Sequence, residues 1–359
     1  MPDQPGRVVL FGSGETSPSG RRIFDWLLSR LPSPVRLAIL ETPAGFELNS
    51  AQVAGRIAEF LCHHLQNYQP QITIVPARKH GTPFSPDAPE IAALIPGADA
   101  IFLGPGSPTY AVRQLQDSLT WHTTIACHHL GSAVVLASAA AIAASAYALP
   151  VYEIYKVGED PHWRGGLDLL GPYGLSLVFV PHWDNQDGGD DLDTSHCYMG
   201  KARFDLLLDM LPSGVTVVGI DEHTALAIDL AAETCQIVGK DGVTLWRDGS
   251  AKRYGRGATF AIGELGSFHR PDPESGLPAG FLARAGEASL EVRRGPAPEP
   301  SLEVLALVRE RERARARRDW ARADALRASL ADLGWQVQDT PGGPQLEPAE
   351  GVPRFQAGL

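Results

Sequence analysis

The run Val134-Val135-Leu136-Ala137-Ser138-Ala139-Ala140-Ala141 sets one hydroxyl among small residues, where a strand-like stretch gives way to a helical one. A nucleophile on a tight strand-to-helix turn needs such neighbours, because the backbone there is strained and the next amide must face an oxyanion. Serine between alanines is more often simple close packing, so the run alone specifies no chemistry. Three other signals supply context. Gly104-Pro105-Gly106-Ser107-Pro108-Thr109-Tyr110 follows one apolar run and opens a helical one, where glycines let backbone amides approach a ligand. The same residues also make an ordinary tight turn with Pro108 at a first helical position. His182, in Pro181-His182-Trp183, stands just past another apolar run. Asp221 and Glu222, in Gly219-Ile220-Asp221-Glu222-His223-Thr224-Ala225-Leu226, offer a carboxylate to orient an imidazole. Four polar signals at the strand ends of one predicted sheet point together to acyl-transfer chemistry.

The elements that must position these groups are legible from periodicity. Short apolar runs at Arg7–Phe11, Arg36–Leu40, Gln71–Val75, Ala100–Leu103, Ala133–Ala137, Leu175–Val180, Val215–Ile220 and Ala225–Asp229 read as strands. Gly20–Leu31, Ser50–Tyr68 and Lys201–Leu211 read as helices between them. Bare apolar strands alternating with amphipathic helices predict an α/β fold, a mainly parallel sheet with helices on both faces. Polar groups in such folds gather beyond the carboxyl ends of the strands. From Cys235 the pattern changes to short β elements. Residues 271–300 read as a Pro/Gly/Glu-rich linker, 301–347 as a small helical module and 348–359 as a polar tail, which makes 1–270 the main domain.

Composition narrows the function classes. The chain has 359 residues and a formal net charge of −11, which argues against a general nucleic-acid or anionic-membrane surface. Four cysteines lie far apart without a C-x-x-C pair and read as reduced thiols in a cytoplasmic protein, with no signal peptide ahead of them. The uncharged stretch Ala133–Val151 is mostly alanine, interrupted by Ser138, Ser145 and Pro150, and reads as a buried strand and packed helix, not a membrane span. The acidic run Asp184–Asp193 lacks the oxygen spacing and terminal glutamate of an EF-hand loop, so it reads as a solvated loop beside the site, and neither metal nor cofactor is assigned. A dimer is compatible with the sequence, which specifies no oligomeric state.

The helix expected over Val304–Arg327 carries eight arginines against four acids between Arg309 and Arg327, with an apolar face of Leu305, Val308, Trp320, Ala323, Leu326, Leu330 and Leu333. Its bland reading is a solvated helical hairpin with Glu/Arg pairs. Arginines on one face, Arg311, Arg315, Arg318 and Arg322, are candidates for RNA phosphates, with docking onto a protein an equal alternative.

At these residues the sequence resembles known families. The combination GPGSPTY, the S-A-x-A elbow at Ser138–Ala141, PHW and GIDExTAL is similar to the peptidase E and cyanophycinase family of serine peptidases over roughly residues 7–265. The resemblance implies a three-layer, flavodoxin-like sheet of the class I glutamine-amidotransferase type and hydrolysis of short or unusual peptides, with the acidic loop favouring basic, Arg-bearing ones. It makes Ser138 the nucleophile, His182 the base, and the amides of Gly106 and Ala139 the oxyanion donors. The orienting acid corresponds to Glu222 in cyanophycinase-like members and to Glu153 in peptidase E. The elbow departs from the family pattern, with Leu136 and Ala140 where glycines are usual. Residues 303–343 resemble the extreme C-terminal, tRNA-contacting segment of cysteinyl-tRNA synthetases, in R-x-x-A-R-x-x-x-D-W-A-x-A-D-x-L-R followed by L-G-W-x-V-x-D-T-P-x-G. The synthetase's catalytic motifs are absent, so no aminoacylation is implied.

Overall fold

The computed structural model describes residues 4–294, 300–340 and 343–348. The chain forms two compact units, Met1–Ser289 and Leu290–Leu359. In the first, strands β1 (Val8–Phe11), β2 (Arg36–Leu40), β3 (Gln71–Val75), β4 (Ala100–Leu103) and β5 (Ala133–Ala137) pair in parallel in the order β1-β5-β4-β2-β3. Helices α1 (Pro18–Leu28), α2 (Ser50–His64), α3 (Pro89–Ala92), α4 (Pro108–Leu115), α5 (Leu119–His129) and α6 (Ala139–Ala143) occupy the connections, together with shorter turns. The inner strands β1, β4 and β5 are apolar throughout because both faces are covered, whereas the edge strand β3 is only partly buried. Val8, Leu10, Val134 and Leu136 enter one core, and Val9, Phe11, Val135 and Ala137 enter the other. Each such side chain, when fully buried, contributes roughly 1.5–3 kcal/mol.

The chain then departs from the single sheet expected. After a two-residue ladder of β6 (Tyr147–Ala148) and β7 (Arg164–Gly165), strands β8 (Leu177–Val180) and β9 (Thr216–Ile220) pair in parallel in a second sheet. That sheet is completed by antiparallel β12 (Val243–Arg247) and β13 (Ser250–Tyr254). Between β9 and β12, and again after β13, the chain returns to the main sheet, where β10 (Thr224–Asp229), β11 (Thr234–Gly239) and β14 (Thr259–Ala261) extend the β1 edge antiparallel. The expected strand at 225–229 is therefore present but antiparallel, and the His182 and Glu222 signals leave strands of a different sheet from Ser138. Periodicity reports burial, and burial does not say which sheet a strand joins. Residues 195–198, just before the helix Gly200–Asp209, wind as a single left-handed turn.

Within the alanine-rich stretch, Ala139–Ala143 form α6 and are all buried, so the small side chains serve close packing. Among the described residues no helix is long and apolar enough to cross a membrane.

The segment read as a linker contains a helix, Phe281–Arg294, whose pattern the many exposed charges obscure. In the second unit the single helix expected over Val304–Arg327 is two, Leu302–Ala316 and Trp320–Asp332. The break follows from local chemistry. Arg318 takes φ 60°, and the Asp319 carboxylate accepts from the Arg322 amide at 3.1 Å to cap the second helix. Strands β15 (Trp335–Thr340) and β16 (Gly343–Pro348) form a hairpin, with Val304, Val308, Leu330, Trp335 and Val337 as the core of this unit. Of the expected apolar face, Trp320 and Leu333 instead lie exposed.

The two sheets meet at the end of β1. Gly12 donates its amide to the Thr224 carbonyl at 2.8 Å and accepts the His182 amide at 3.2 Å. A Cβ at Gly12 would overlap the carbonyl oxygen of Asp221. Gly12→Ala must therefore push the β9–β10 turn off β1, and its urea midpoint should fall by the equivalent of about 1–3 kcal/mol or more. An unchanged midpoint would show that this junction tolerates separation.

Candidate active site

Ser138 occupies the single residue between β5 and α6, with φ 53° and ψ −113°. A non-glycine residue held there costs on the order of 1–3 kcal/mol and persists only where its surroundings fix it. Here the Ser138 amide donates to Phe11 on β1 at 3.4 Å and the Ser138 carbonyl accepts from Ile142 at 3.2 Å. Leu136 and Ala140 are accommodated without glycine. Both are buried in the same core cluster, with Leu136 lying between Leu10 of β1 and Leu103 of β4.

His182 follows β8, also at positive φ (52°), and its ring points back to the elbow. Ser138 Oγ lies 3.0 Å from His182 Nε2, and His182 Nδ1 lies 2.9 Å from Glu222 Oε1. A carboxylate only accepts, so the Nδ1 proton is donated to Glu222, leaving Nε2 with a lone pair facing the hydroxyl. The buried Asn185 donates its side-chain amide to the same Glu222 oxygen at 3.1 Å. Asp184 accepts the Glu222 amide at 2.7 Å. The hydrogen bond from His182, helped by Asn185, holds the Glu222 carboxyl down at about 2 against the opposing effect of burial. Glu222 is thus ionised at every working pH.

The neighbouring carboxylate faces elsewhere. Asp221 is fully buried, pairs with the Arg253 guanidinium and accepts the Gly242 amide at 2.9 Å. Its carboxyl is raised by burial, against the pull of Arg253. The two carboxylates of the Asp221-Glu222 signal divide between fastening the second sheet and facing the imidazole.

Glu153 stands apart from this chain. It accepts from Thr109 Oγ1 at 2.6 Å, and its other oxygen is buried with no partner among the described residues. It lines a neighbouring cavity of about 500 Å³, whereas Ser138 and His182 line one of about 320 Å³. Gly106 and Ala139 line the latter with them. Gly106 has φ 151°, and a Cβ there would overlap the carbonyl of Pro43, so only glycine lets this turn lie against the Pro43 carbonyl. The Ala139 amide is at the first turn of α6, where N–H groups have no carbonyl one turn back.

Asn185 and Tyr198, which lines the Ser138 cavity, carry no sequence signal of their own. Asn185 sits within the acidic run read as solvated. That run is largely exposed, as expected, and is also anchored: Asp187 accepts from Tyr198 Oη at 2.7 Å, and Asp193 accepts the Lys201 amide at 2.7 Å. Among the described residues no group of three or more His, Cys, Asp or Glu could hold a metal ion.

A peptidase from an acI-B1 Actinobacterium superposes with a TM-score of 0.58 at 20% identity, covering 72% of this chain and 98% of that one. The first unit shares the fold of that protein. A candidate peptidase E protein from Listeria monocytogenes EGD-e matches with a TM-score of 0.39 at 13% identity, over 68% of this chain and 98% of the other. No curated protein matches the chain. Residues 297–345 match the cysteinyl-tRNA ligase anticodon binding domain family.

In that second unit the four arginines singled out for RNA are mostly engaged. Arg311 is 2% exposed and donates to both oxygens of Asp339 at 2.9 Å, Arg315 pairs with the same Asp339, and Arg322 pairs with Glu310 at 2.7 Å. Helical spacing marked these residues as one face, but they divide: Arg311 and Arg315 turn toward Asp339 on β15, and Arg322 turns toward Glu310 of the preceding helix. Of the four, Arg318 is exposed at the turn with no ion pair among the described residues.

The two carboxylates give opposite expectations. Glu222→Gln should slow reaction of Ser138 with a fluorophosphonate by about 10³–10⁴-fold, since a neutral amide does not stabilise the imidazolium and, with its NH2 facing the ring, favours the wrong tautomer. Glu153→Gln should leave that rate within a few-fold of wild type. Equal losses from both would remove Glu222 as the orienting group.

Proposed function

We propose that the protein is a serine hydrolase, a peptidase of the peptidase E type acting on short peptides through Ser138, His182 and Glu222. The observation that carries this reading is the unbroken chain Ser138 Oγ–His182 Nε2 and His182 Nδ1–Glu222 Oε1, at 3.0 and 2.9 Å, opening into a cavity beside a strained elbow. As Ser138 Oγ attacks the peptide carbonyl carbon, its proton passes to His182 Nε2. The imidazolium so formed is stabilised by Glu222, which keeps its charge and takes no proton. The amides of Gly106 and Ala139 donate to the developing oxyanion. His182 then returns the proton to the departing amine as the C–N bond breaks, leaving an acyl-Ser138 ester. Water, deprotonated by His182, hydrolyses that ester and restores the serine.

The peptidase fold supports the reaction class, and a cavity of about 320 Å³ suits a substrate of a few residues. The cavity wall itself carries a cation, Lys156, which weighs against a general preference for basic peptides. Four free cysteines, three of them buried, fit a reducing compartment such as the cytoplasm. Wild-type protein should label covalently with a fluorophosphonate, and Ser138→Ala should abolish labelling while its melting temperature stays within a few degrees. Wild type that remains unlabelled at saturating probe would end this reading.

A second activity is favoured by the C-terminal unit, and we infer that it binds RNA of the tRNA class. Arg309, Arg313 and Arg317, spaced one turn apart, are exposed and carry no ion pair among the described residues, so they form a free basic stripe. Changing all three to Gln in the full-length protein should weaken tRNA binding and reduce the slope of log K against log salt by about 2–3, at roughly 0.7–0.9 for each phosphate no longer neutralised. Absence of tRNA binding by wild type at low salt would leave protein docking as the role of this unit.

A further inference from the structure

We propose that Tyr198 is a positioning residue for this site: its hydroxyl latches Asp187 and, through Asn185, holds Glu222 against His182. The inference rests on the hydrolase reading above and adds a residue to it. The path is continuous in hydrogen bonds. Tyr198 Oη donates to Asp187 Oδ2 at 2.7 Å, the Asp187 amide donates to Asn185 Oδ1 at 3.2 Å, and Asn185 Nδ2 donates to Glu222 Oε1 at 3.1 Å. The last of these acceptors is the oxygen that also takes the His182 Nδ1 proton. Asn185 uses both ends of its amide in this path, which fixes the side chain's orientation.

The backbone beneath Tyr198 is held there against its own preference. His196, Cys197 and Tyr198 take φ of 55°, 59° and 67° in succession, none of them glycine. Each costs on the order of 1–3 kcal/mol in that region unless local bonds determine it. Those bonds run to the histidine segment. The Cys197 amide donates to the His182 carbonyl at 3.1 Å, and the His196 amide to the Trp183 carbonyl at 2.9 Å. The turn thereby sets the Tyr198 ring 6.1 Å from the His182 ring and 5.4 Å from Tyr155, on the wall of the Ser138 cavity. Burial, together with Asp187, raises the phenol well above its ordinary value, so it remains a neutral donor.

The test compares Tyr198→Phe, Asp187→Ala, their combination and Asp187→Asn in the full-length protein, with a fluorophosphonate as the probe. Tyr198→Phe removes one oxygen, and Asp187 is exposed on its loop, so both variants should fold. Each should lower the limiting rate of Ser138 labelling by about tenfold with the half-saturating probe concentration unchanged, as expected for misplacement of a catalytic group. The double variant should be no slower than either single one, because both cut the same path. Asp187→Asn keeps an acceptor for the phenol and should recover most of the rate. As an independent readout, the NMR resonance of the His182 Nδ1 proton should move in Tyr198→Phe and Asp187→Ala to the same position. The latch is overturned if Tyr198→Phe leaves both rate and resonance unchanged, or if the two single effects multiply in the double variant. An unlabelled wild type whose Nδ1 resonance still shifts in both variants would sink the hydrolase reading and leave the latch standing.

Discussion

Everything at this site depends on how closely three backbone segments approach at the end of β1. Phe11 accepts the Ser138 amide, Gly12 accepts the His182 amide, and Gly12 donates to Thr224, two residues beyond Glu222. One dipeptide therefore sets the relative positions of a residue leaving the main sheet and two residues carried on loops of the second. The absent side chain at Gly12 allows it, because the Asp221 carbonyl fills the space a Cβ would need. Shifts of a few tenths of an ångström here would lengthen both hydrogen bonds of the imidazole. The buried Asp221, paired with the exposed Arg253, braces the same turn.

Around that junction the protein accumulates conformations that ordinary segments avoid. Ser138, His182 and the three residues 196–198 are all non-glycine at positive φ, and all line the cavity or lie beside it. Such residues cost energy individually, and the dense packing of α6 and β5, both almost wholly apolar and buried, offsets that cost. The polar groups are satisfied in series: imidazole to carboxylate, carboxylate to the Asn185 amide, Asn185 to the acidic loop. A linked chain of this kind keeps one geometry because each member restricts the next.

Much of this was legible in the residues, and the exceptions have physical reasons. The parallel strands announce themselves because burial on both faces makes them continuously apolar, and the small residues flanking Ser138 mark the elbow. The division into two sheets was hidden, since β8 and β9 are as apolar as β1 and β5. The choice between Glu222 and Glu153 was equally hidden, because it turns on a loop's direction and not on residue type. Asn185 passed as one polar residue in an acidic run, although its burial separates it from the acids around it. In the C-terminal unit the arginine count is plain, yet which arginines point outward depends on Asp339, a residue 28 positions from Arg311 that only the β15 hairpin brings close.

The spread of these residues along the chain bears on when the site exists. Ser138 meets a histidine 44 positions later, and that histidine meets a glutamate 40 positions further on, across two sheets. Contacts of such separation form late, after the loops between them have been closed at an entropic cost. A growing polypeptide that has not yet passed Thr224 lacks Glu222's anchor on β1 and has no assembled imidazole. Synthesis and folding thus leave the Ser138–His182–Glu222 hydrogen-bond chain unassembled until the segment that ends at Thr224 has reached β1.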